Sequence, residues 1–303
     1  MNFKPLAVSD YHTVKVFFTG QPYNLCIYSP ASLIAWCNRI FINRFAIADG
    51  VLFVTGEAED RPKDRHLILP ISKDRVHSPE ELHRFARKLG FGQYWYVPGD
   101  YLESLDRSEL EALFIMEEQT DFADYVYLTE DLAGLKGNRF SKKRNLIHQF
   151  FREYIRKGRV AVENIHKENV PDCLQFLEIW CKEYACEVDQ ESSLSCEKEA
   201  LITTLENIGR LESMGMMIRV DGAVSALGIG SRLNETMAAL NFEKAFSGIK
   251  GLYQFLDNEC AKKLFNGFRY INKESDMNLP NLAEAKQSYH PVLRIKSFAL
   301  ILR

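Results

Sequence analysis

The chain has 303 residues, 46% of them hydrophobic and 26% charged, with a formal net charge of −3. That balance excludes a disordered or low-complexity protein, and the length suits two domains, which cluster at roughly 100–150 residues. No run approaches the roughly 18 apolar residues of a membrane span, and Met1–Pro5 does not open a secretory leader, so a cytoplasmic protein is expected.

Helical stretches are predicted near Val8–Phe18 and, after the breaker Ser29-Pro30, near Ala31–Asn38. Asp49-Gly50 lies between the strand patterns Phe45–Ala48 and Val51–Thr55. It is a tight-hairpin dipeptide, because both central residues must reach positive φ. His66–Pro70 reads as a third strand. Ser78-Pro79-Glu80-Glu81 is a complete helix start: Ser caps, Pro takes the first helical position and Glu follows three residues after the Ser. This helix should run to Leu89 and stop at Gly90. Strands follow at Tyr94–Val97, Phe114–Glu117 and Tyr125–Leu128, with a helix between the first two.

Next comes a charge anomaly. Lys136–Arg159 holds nine basic residues against the single acid Glu153, about +8, which leaves about −11 for the rest of a chain whose total is −3. Ile147, Phe150, Phe151, Tyr154 and Ile155 recur at helical spacing and predict one buried face, flanked by Arg144, His148, Arg152 and Arg156 at every fourth position. A basic helix face is most often simply solvated. With Lys136, Arg139, Lys142 and Lys143 beside it, the segment could equally hold a polyanion such as RNA, a phosphate-rich substrate or acidic lipid headgroups.

Beyond it a strand is predicted at Val160–Glu163, helices near Val170–Tyr184 and Glu197–Ile208, and a meander of Met214–Val220, Ala223–Ser231 and Thr236–Phe242 turning at Asp221-Gly222 and Leu233-Asn234-Glu235. A helix at Leu252–Phe265, a strand at Arg269–Asn272 and a last strand near Val292–Leu300 complete the order. Seven cysteines without a CxxC pair and seven histidines without tight spacing argue against a disulfide framework or a metal centre. The cysteines read as reduced and mostly packed, with Cys181 and Cys186 partly exposed. No Gly-x-Ser-x-Gly elbow or Walker loop is present.

Glu243, Glu274 and Asp276 fall at or just beyond predicted strand ends, where a carboxylate can face a cleft and act as a base or hold an ammonium group. Taken singly, such carboxylates are usually solvated surface residues. Lys244 and Lys286 could hold phosphate or polarise a carbonyl. The loop Ser247–Leu252 precedes a helix, so its N–H groups could cradle an anion, although a two-glycine turn also serves packing alone.

Several of these segments carry a resemblance. Gly137-Asn138-Arg139-Phe140-Ser141-Lys142-Lys143-Arg144-Asn145, continuing to Tyr154, resembles the Gly-x-x-(Phe/Tyr)-x-x-Lys-Arg-Asn signature of the C-terminal domain family of phosphatidylglycerol lysyltransferases. The similarity continues through Asn241–Ala245, Gly251–Gln254, Tyr270–Asp276 and Lys286–Val292. The resemblance implies an α+β fold of two tandem GNAT-like domains, 1–133 and 134–303, with mixed, mostly antiparallel sheets flanked by helices. It implies kinship with Fem-type aminoacyltransferases and aminoacyl-tRNA as donor, with tRNA or another polyanion on the basic helix and a membrane lipid as transient acceptor. Glu243, Glu274 and Asp276 become the catalytic candidates. Arg139, Lys143, Arg144, Asn145, His148, Lys244, Lys250, Gly251, Tyr253 and Lys286 become the substrate contacts, and no metal or bound cofactor is expected. Ala245 and Lys250 depart from the phosphate loop of acetyl-CoA enzymes, which disfavours coenzyme A. Met277–Lys286 lacks the family's Gly and Gly-Leu-Arg, which separates this chain from lysyl transfer to phosphatidylglycerol. The competing readings are a non-catalytic binding module of the same fold and an acetyl-CoA-dependent N-acetyltransferase.

Overall fold

The computed structural model describes residues 1–38, 40–58, 60–73, 75–183 and 193–303. It is an α+β protein built on two mixed sheets. The first runs Lys4–Pro5, Phe41–Ala48, Val51–Ala58, His66–Leu67, Gln93–Pro98, Ser297–Leu302, Phe114–Glu118, with Ile71–Ser72 also paired to Val51–Ala58. The second runs Leu293–Ile295, Asp124–Leu128, Tyr270–Asn272, Met237–Ala245, Ala223–Arg232, Met214–Val220, Val160–Asn164. Every pairing is antiparallel except His66–Leu67 with Gln93–Pro98 and Met237–Ala245 with Tyr270–Asn272.

Local chemistry sets the expected elements. Asp49 and Gly50 sit at φ 52 and 75, and Asp221 and Gly222 at φ 53 and 85, the left-handed pairs that close two-residue hairpins. Ser78 accepts from the Glu81 amide while the Glu81 carboxylate accepts from the Ser78 amide, and Gly90 ends the helix Pro79–Leu89 at φ 73.

Long-range pairing departs from expectation in two places. The single strand predicted near Val292–Leu300 is two, with Leu293–Ile295 in the second sheet and Ser297–Leu302 in the first. Asp124–Leu128 is not a strand of the first sheet; it lies in the second, between Tyr270–Asn272 and Leu293–Ile295. Each sheet therefore borrows a strand from across position 133, and the two halves are laced together.

Smaller corrections have local causes. A short helix, Pro280–Gln287, was not anticipated; it buries none of its residues, so it carries no apolar periodicity to read. The helix from Leu252 is α-helical to Glu259 and then widens into a π turn over Cys260–Leu264. The helix expected near Ala31–Asn38 is Pro30–Ala35. Val170–Glu183 and Ser193–Glu206 form the next expected pair; the predicted end at Tyr184 and the thiol of Cys186 lie outside the described residues. Cys181 is buried rather than partly exposed. Phe151 is 48% exposed, so it does not belong to the buried stripe of the basic helix.

Three cores result. One, around Tyr28, Leu52, Tyr94 and Phe114, fills the first half and takes in Leu233 and Met237 from the second. Another packs Phe150, Leu252, Phe265 and Ile271 on one face of the second sheet. The third packs Phe176, Leu201 and Ile229 on its other face and reaches Ala35 and Trp36 of the first half. Among the described residues, no helix is long and apolar enough to cross a membrane.

Candidate active site

Met237–Ala245 and Tyr270–Asn272 run side by side for three paired positions, ending at Ala239 and Asn272. Beyond them Met237–Ala245 stays with Ala223–Arg232, while the other chain leaves the sheet. The gap between the diverging strands must be filled by side chains. Asn241 is the unpaired residue of a β-bulge, since Ile229 faces Phe242 and Gly230 faces Leu240. Bulges re-aim side chains, and that of Asn241 reaches across the gap. It accepts from Ser231 Oγ at 2.8 Å and donates to Ser32 Oγ at 2.9 Å and to Glu274 Oε1 at 3.0 Å.

Glu274 has φ 58, a left-handed conformation that a non-glycine residue adopts only when its surroundings compel it. Two contacts do so. Its amide donates to Asn272 Oδ1 at 2.7 Å, and the Lys286 ammonium donates to the carbonyl oxygens of Lys273, Glu274 and Ser275 at 2.6, 3.1 and 2.5 Å. Lys286 thus binds backbone, with three bonds for its three protons. Burial lowers the basicity of Lys286, with Glu274 acting the other way. Burial lifts the Glu274 carboxyl to about 8, against the pull of Asn241, and the negative Asp124 adds to the rise. Among the described residues, no donor pairs with Glu274 Oε2.

Asp124 is buried and accepts from the Cys26 amide at 2.7 Å and from Asn272 Nδ2 at 2.8 Å. Burial raises its carboxyl, and burial together with Asp124 raises the Cys26 thiol well above its ordinary range, so Cys26 is no thiolate nucleophile. Asp124, Cys26 and Glu274 lie along a cavity of about 240 Å³ between the two halves, whose walls include the aromatic rings of Trp36, Phe41, Tyr96 and Phe122.

The other carboxylates sit apart from that cavity. Lys273 pairs with Glu243 at 3.0 Å and Asp257 at 2.9 Å. Burial works against the Lys273 charge, but Asp257 and Glu243 outweigh it and hold its basicity well above normal. With two acids to one ammonium, burial lifts Glu243 to about 7 despite Lys273. Asp276 is buried and fully engaged: it accepts from Tyr125 Oη at 2.5 Å, from Arg294 at 3.4 Å and from the Asn278 amide at 3.0 Å.

The predicted substrate contacts divide in the same way. Arg139 pairs with Asp131 at 2.7 Å, and Arg144 donates to the Leu135 and Gly137 carbonyls at 2.5 and 2.6 Å, capping the preceding helix Thr129–Gly134. Lys143 donates to Ser288 Oγ at 2.6 Å and lies 3.8 Å over the Tyr289 ring, a ring that Lys273 also approaches at 5.1 Å. Asn145 and His148 border a shallow open depression of about 380 Å³ with Phe151 and Arg152. Lys244 is buried against Trp180 and pairs with Glu197 at 2.7 Å. Lys250 is exposed, and Tyr253 packs half-buried on the second core. Gly251 has a packing reason: a Cβ there would stand 2.2 Å from the Leu146 carbonyl oxygen, so the basic helix sits directly on the loop.

The structure therefore brings Glu274 and Lys286 together and adds Asn241, Asp124 and Asn272, which the sequence did not mark as site residues. Asn241 and Asn272 lay inside the family-like segments. Asp124 had no signal, because its partner Cys26 is 98 positions away. Among the described residues, no cluster of His, Cys, Asp and Glu could hold a metal ion.

The model of the family described as "Phosphatidylglycerol lysyltransferase, C-terminal" matches residues 63–301. A conserved protein of unknown function from Bacteroides thetaiotaomicron is 28% identical, with a TM-score of 0.88 and 100% of each chain covered. The C-terminal domain of a lysylphosphatidylglycerol synthetase from Agrobacterium fabrum aligns at 12% identity and TM-score 0.66, over 96% of this chain and 91% of that one. A tandem GNAT protein from the clavulanic acid biosynthesis pathway aligns at 8% identity and TM-score 0.50, over 99% and 98%. These likenesses establish a GNAT-like α+β fold. No curated protein matches the sequence.

Proposed function

The chain belongs to the phosphatidylglycerol lysyltransferase C-terminal family, and on that footing we propose that it transfers an aminoacyl or acyl group from an activated ester to an amine or hydroxyl acceptor, with Glu274 as general base. The observation that carries this reading is the Glu274 carboxyl, raised to about 8, with one oxygen held by Asn241 and the other unpaired beside a cavity. A general base works best when its pKa lies near the operating pH, and this one is far closer than an ordinary Glu. The Lys286 clamp and the bulge at Asn241 position it, and positioning is the larger part of such catalysis.

The donor in this reading is aminoacyl-tRNA, met in the cytoplasm, and the two GNAT-like halves, 1–133 and 134–303, form a tandem pair. Arg144, Arg139 and Lys143 are committed to the protein itself, so the polyanion would meet the exposed side chains of His148, Arg152 and Arg156. Coenzyme A fits less well: the gap between the parting strands is plugged by the Lys273, Glu243 and Asp257 cluster, and the loop before Leu252 is covered by Leu146. The test is incubation with a panel of charged tRNAs and amine, hydroxyl and lipid acceptors. Transfer that Glu274→Gln reduces at least a hundredfold supports the reading; no transfer to any acceptor, with no tRNA binding at low salt, removes it.

A further inference from the structure

We infer that the cavity between the halves is the acceptor site and that it takes a small apolar primary amine, its ammonium on Glu274 Oε2 and its body among Trp36, Phe41, Tyr96 and Phe122. The assignment of the amine as acceptor rests on the transferase reading; the binding site itself does not.

Three observations lead there. The walls are aromatic, so the body of the ligand is apolar and its burial is favourable by roughly 25 cal/mol per Å². The volume of about 240 Å³ falls short of the roughly 300–1,000 Å³ of pockets for drug-sized ligands, so the ligand is small, of the order of one ring and a short arm. The charge at the inner end is unbalanced. Among the described residues, Asp124 and Glu274 are two acids, and the cation that bears on both is Lys286, whose protons are spent on backbone carbonyls. A buried site one positive charge short must take up a proton or a cation, since an unpaired buried charge is costly. Without ligand Glu274 holds the proton; a ligand ammonium replaces it. A hydroxyl brings no charge and would leave the imbalance in place.

The same contact prepares the chemistry. Glu274 takes one proton from the ammonium and later yields it to solvent. The freed amine attacks the donor's ester carbonyl, the N–C bond forms, the C–O ester bond breaks, and the second nitrogen proton goes to the departing hydroxyl.

The test is calorimetry with 2-phenylethylamine and its uncharged counterpart 2-phenylethanol, in buffers of different ionisation enthalpy at pH 7. The amine is expected to bind at least tenfold more tightly than the alcohol, with release of close to one proton. Glu274→Gln should remove that preference and the proton release while leaving the thermal midpoint near that of the parent, and Phe122→Ala should weaken both ligands. Equal binding of the two, binding of neither at about 10 mM, or an unchanged preference in Glu274→Gln would overturn the assignment. Aminoacyl transfer to phosphatidylglycerol without amine binding would sink the amine site and leave the transferase reading standing. Amine binding without transfer from any charged tRNA would do the reverse.

Discussion

The side-chain amide of Asn241 donates to Glu274 Oε1 at 3.0 Å, across the gap opened where two parallel strands part. A hydrogen bond to a carboxylate favours its charged form, so this contact holds the Glu274 pKa below what burial alone would set. Replacing Asn241 by Leu should move the Glu274 titration upward by about one unit, roughly 1.4 kcal/mol. Carboxyl-carbon NMR against pH reads this directly; a midpoint that stays put would separate Asn241 from the site's electrostatics.

Stability should fall as pH rises towards 8. Glu274 and Glu243 titrate near 8 and 7 in the folded protein against 4.5 normally. A raised carboxyl pKa means that the folded state binds more protons, so its contribution is complete below about 4.5 and is lost as pH climbs through the folded values. Urea unfolding at pH 5, 6.5 and 8 should show the decline, and Glu274→Gln should flatten it. A stability that rises from pH 5 to 8 in both proteins would contradict the assignment.

Lys273 is the single ammonium between two acids, Glu243 and Asp257. Lys273→Met leaves those acids without their partner and should cost about 3–5 kcal/mol, the scale for breaking a buried pair. Adding Glu243→Gln should recover part of that loss. If the double variant is no more stable than the single one in denaturant titrations, the pairing does not carry the energy.

Gly251 combines φ +85 with the Leu146 carbonyl oxygen 2.2 Å from where a Cβ would lie. Gly251→Ala must therefore push the basic helix off the loop or strain the backbone, at a cost of about 1–3 kcal/mol. A thermal midpoint matching the parent would show that the contact yields freely.

Arg144 and Arg152 should behave oppositely although both belong to the every-fourth-residue row. Arg144→Ala removes the bonds to the Leu135 and Gly137 carbonyls and should destabilise the fold. Arg152→Ala with Arg156→Ala should leave the thermal midpoint unchanged while weakening tRNA binding, with the salt slope reduced by about two. A pair of variants that alters stability but not the salt slope would take the polyanion off this face.

Much of the fold was legible because the signals were short-range. The Asp-Gly hairpins, the Ser78 capping box, the meander and the basic helix each follow from residues within a few positions of one another, where backbone preference and apolar period decide the outcome. Phe151 shows the limit of periodicity: its spacing marked it as core, but a neighbour on that side of the helix is needed to bury it, and it is left exposed. Of the candidate site, Glu274 was legible as a carboxylate in a family-like segment. Lys286, which holds its backbone, was marked too, but its partners Asn241, Asn272 and Asp124 were not.

What the sequence determined by itself was therefore the list of elements, the concentration of charge in Lys136–Arg159 and the family. What only the tertiary structure decided was the exchange of strands between the sheets, the diversion of Lys286 from ligand to backbone, and the cavity that Glu274 shares with Asp124 and Cys26. Those depend on contacts between residues 98 positions apart for Cys26 and Asp124 and 209 apart for Ser32 and Asn241, and on burial, which turns an ordinary acid into a base poised near neutrality only after the chain has closed around it.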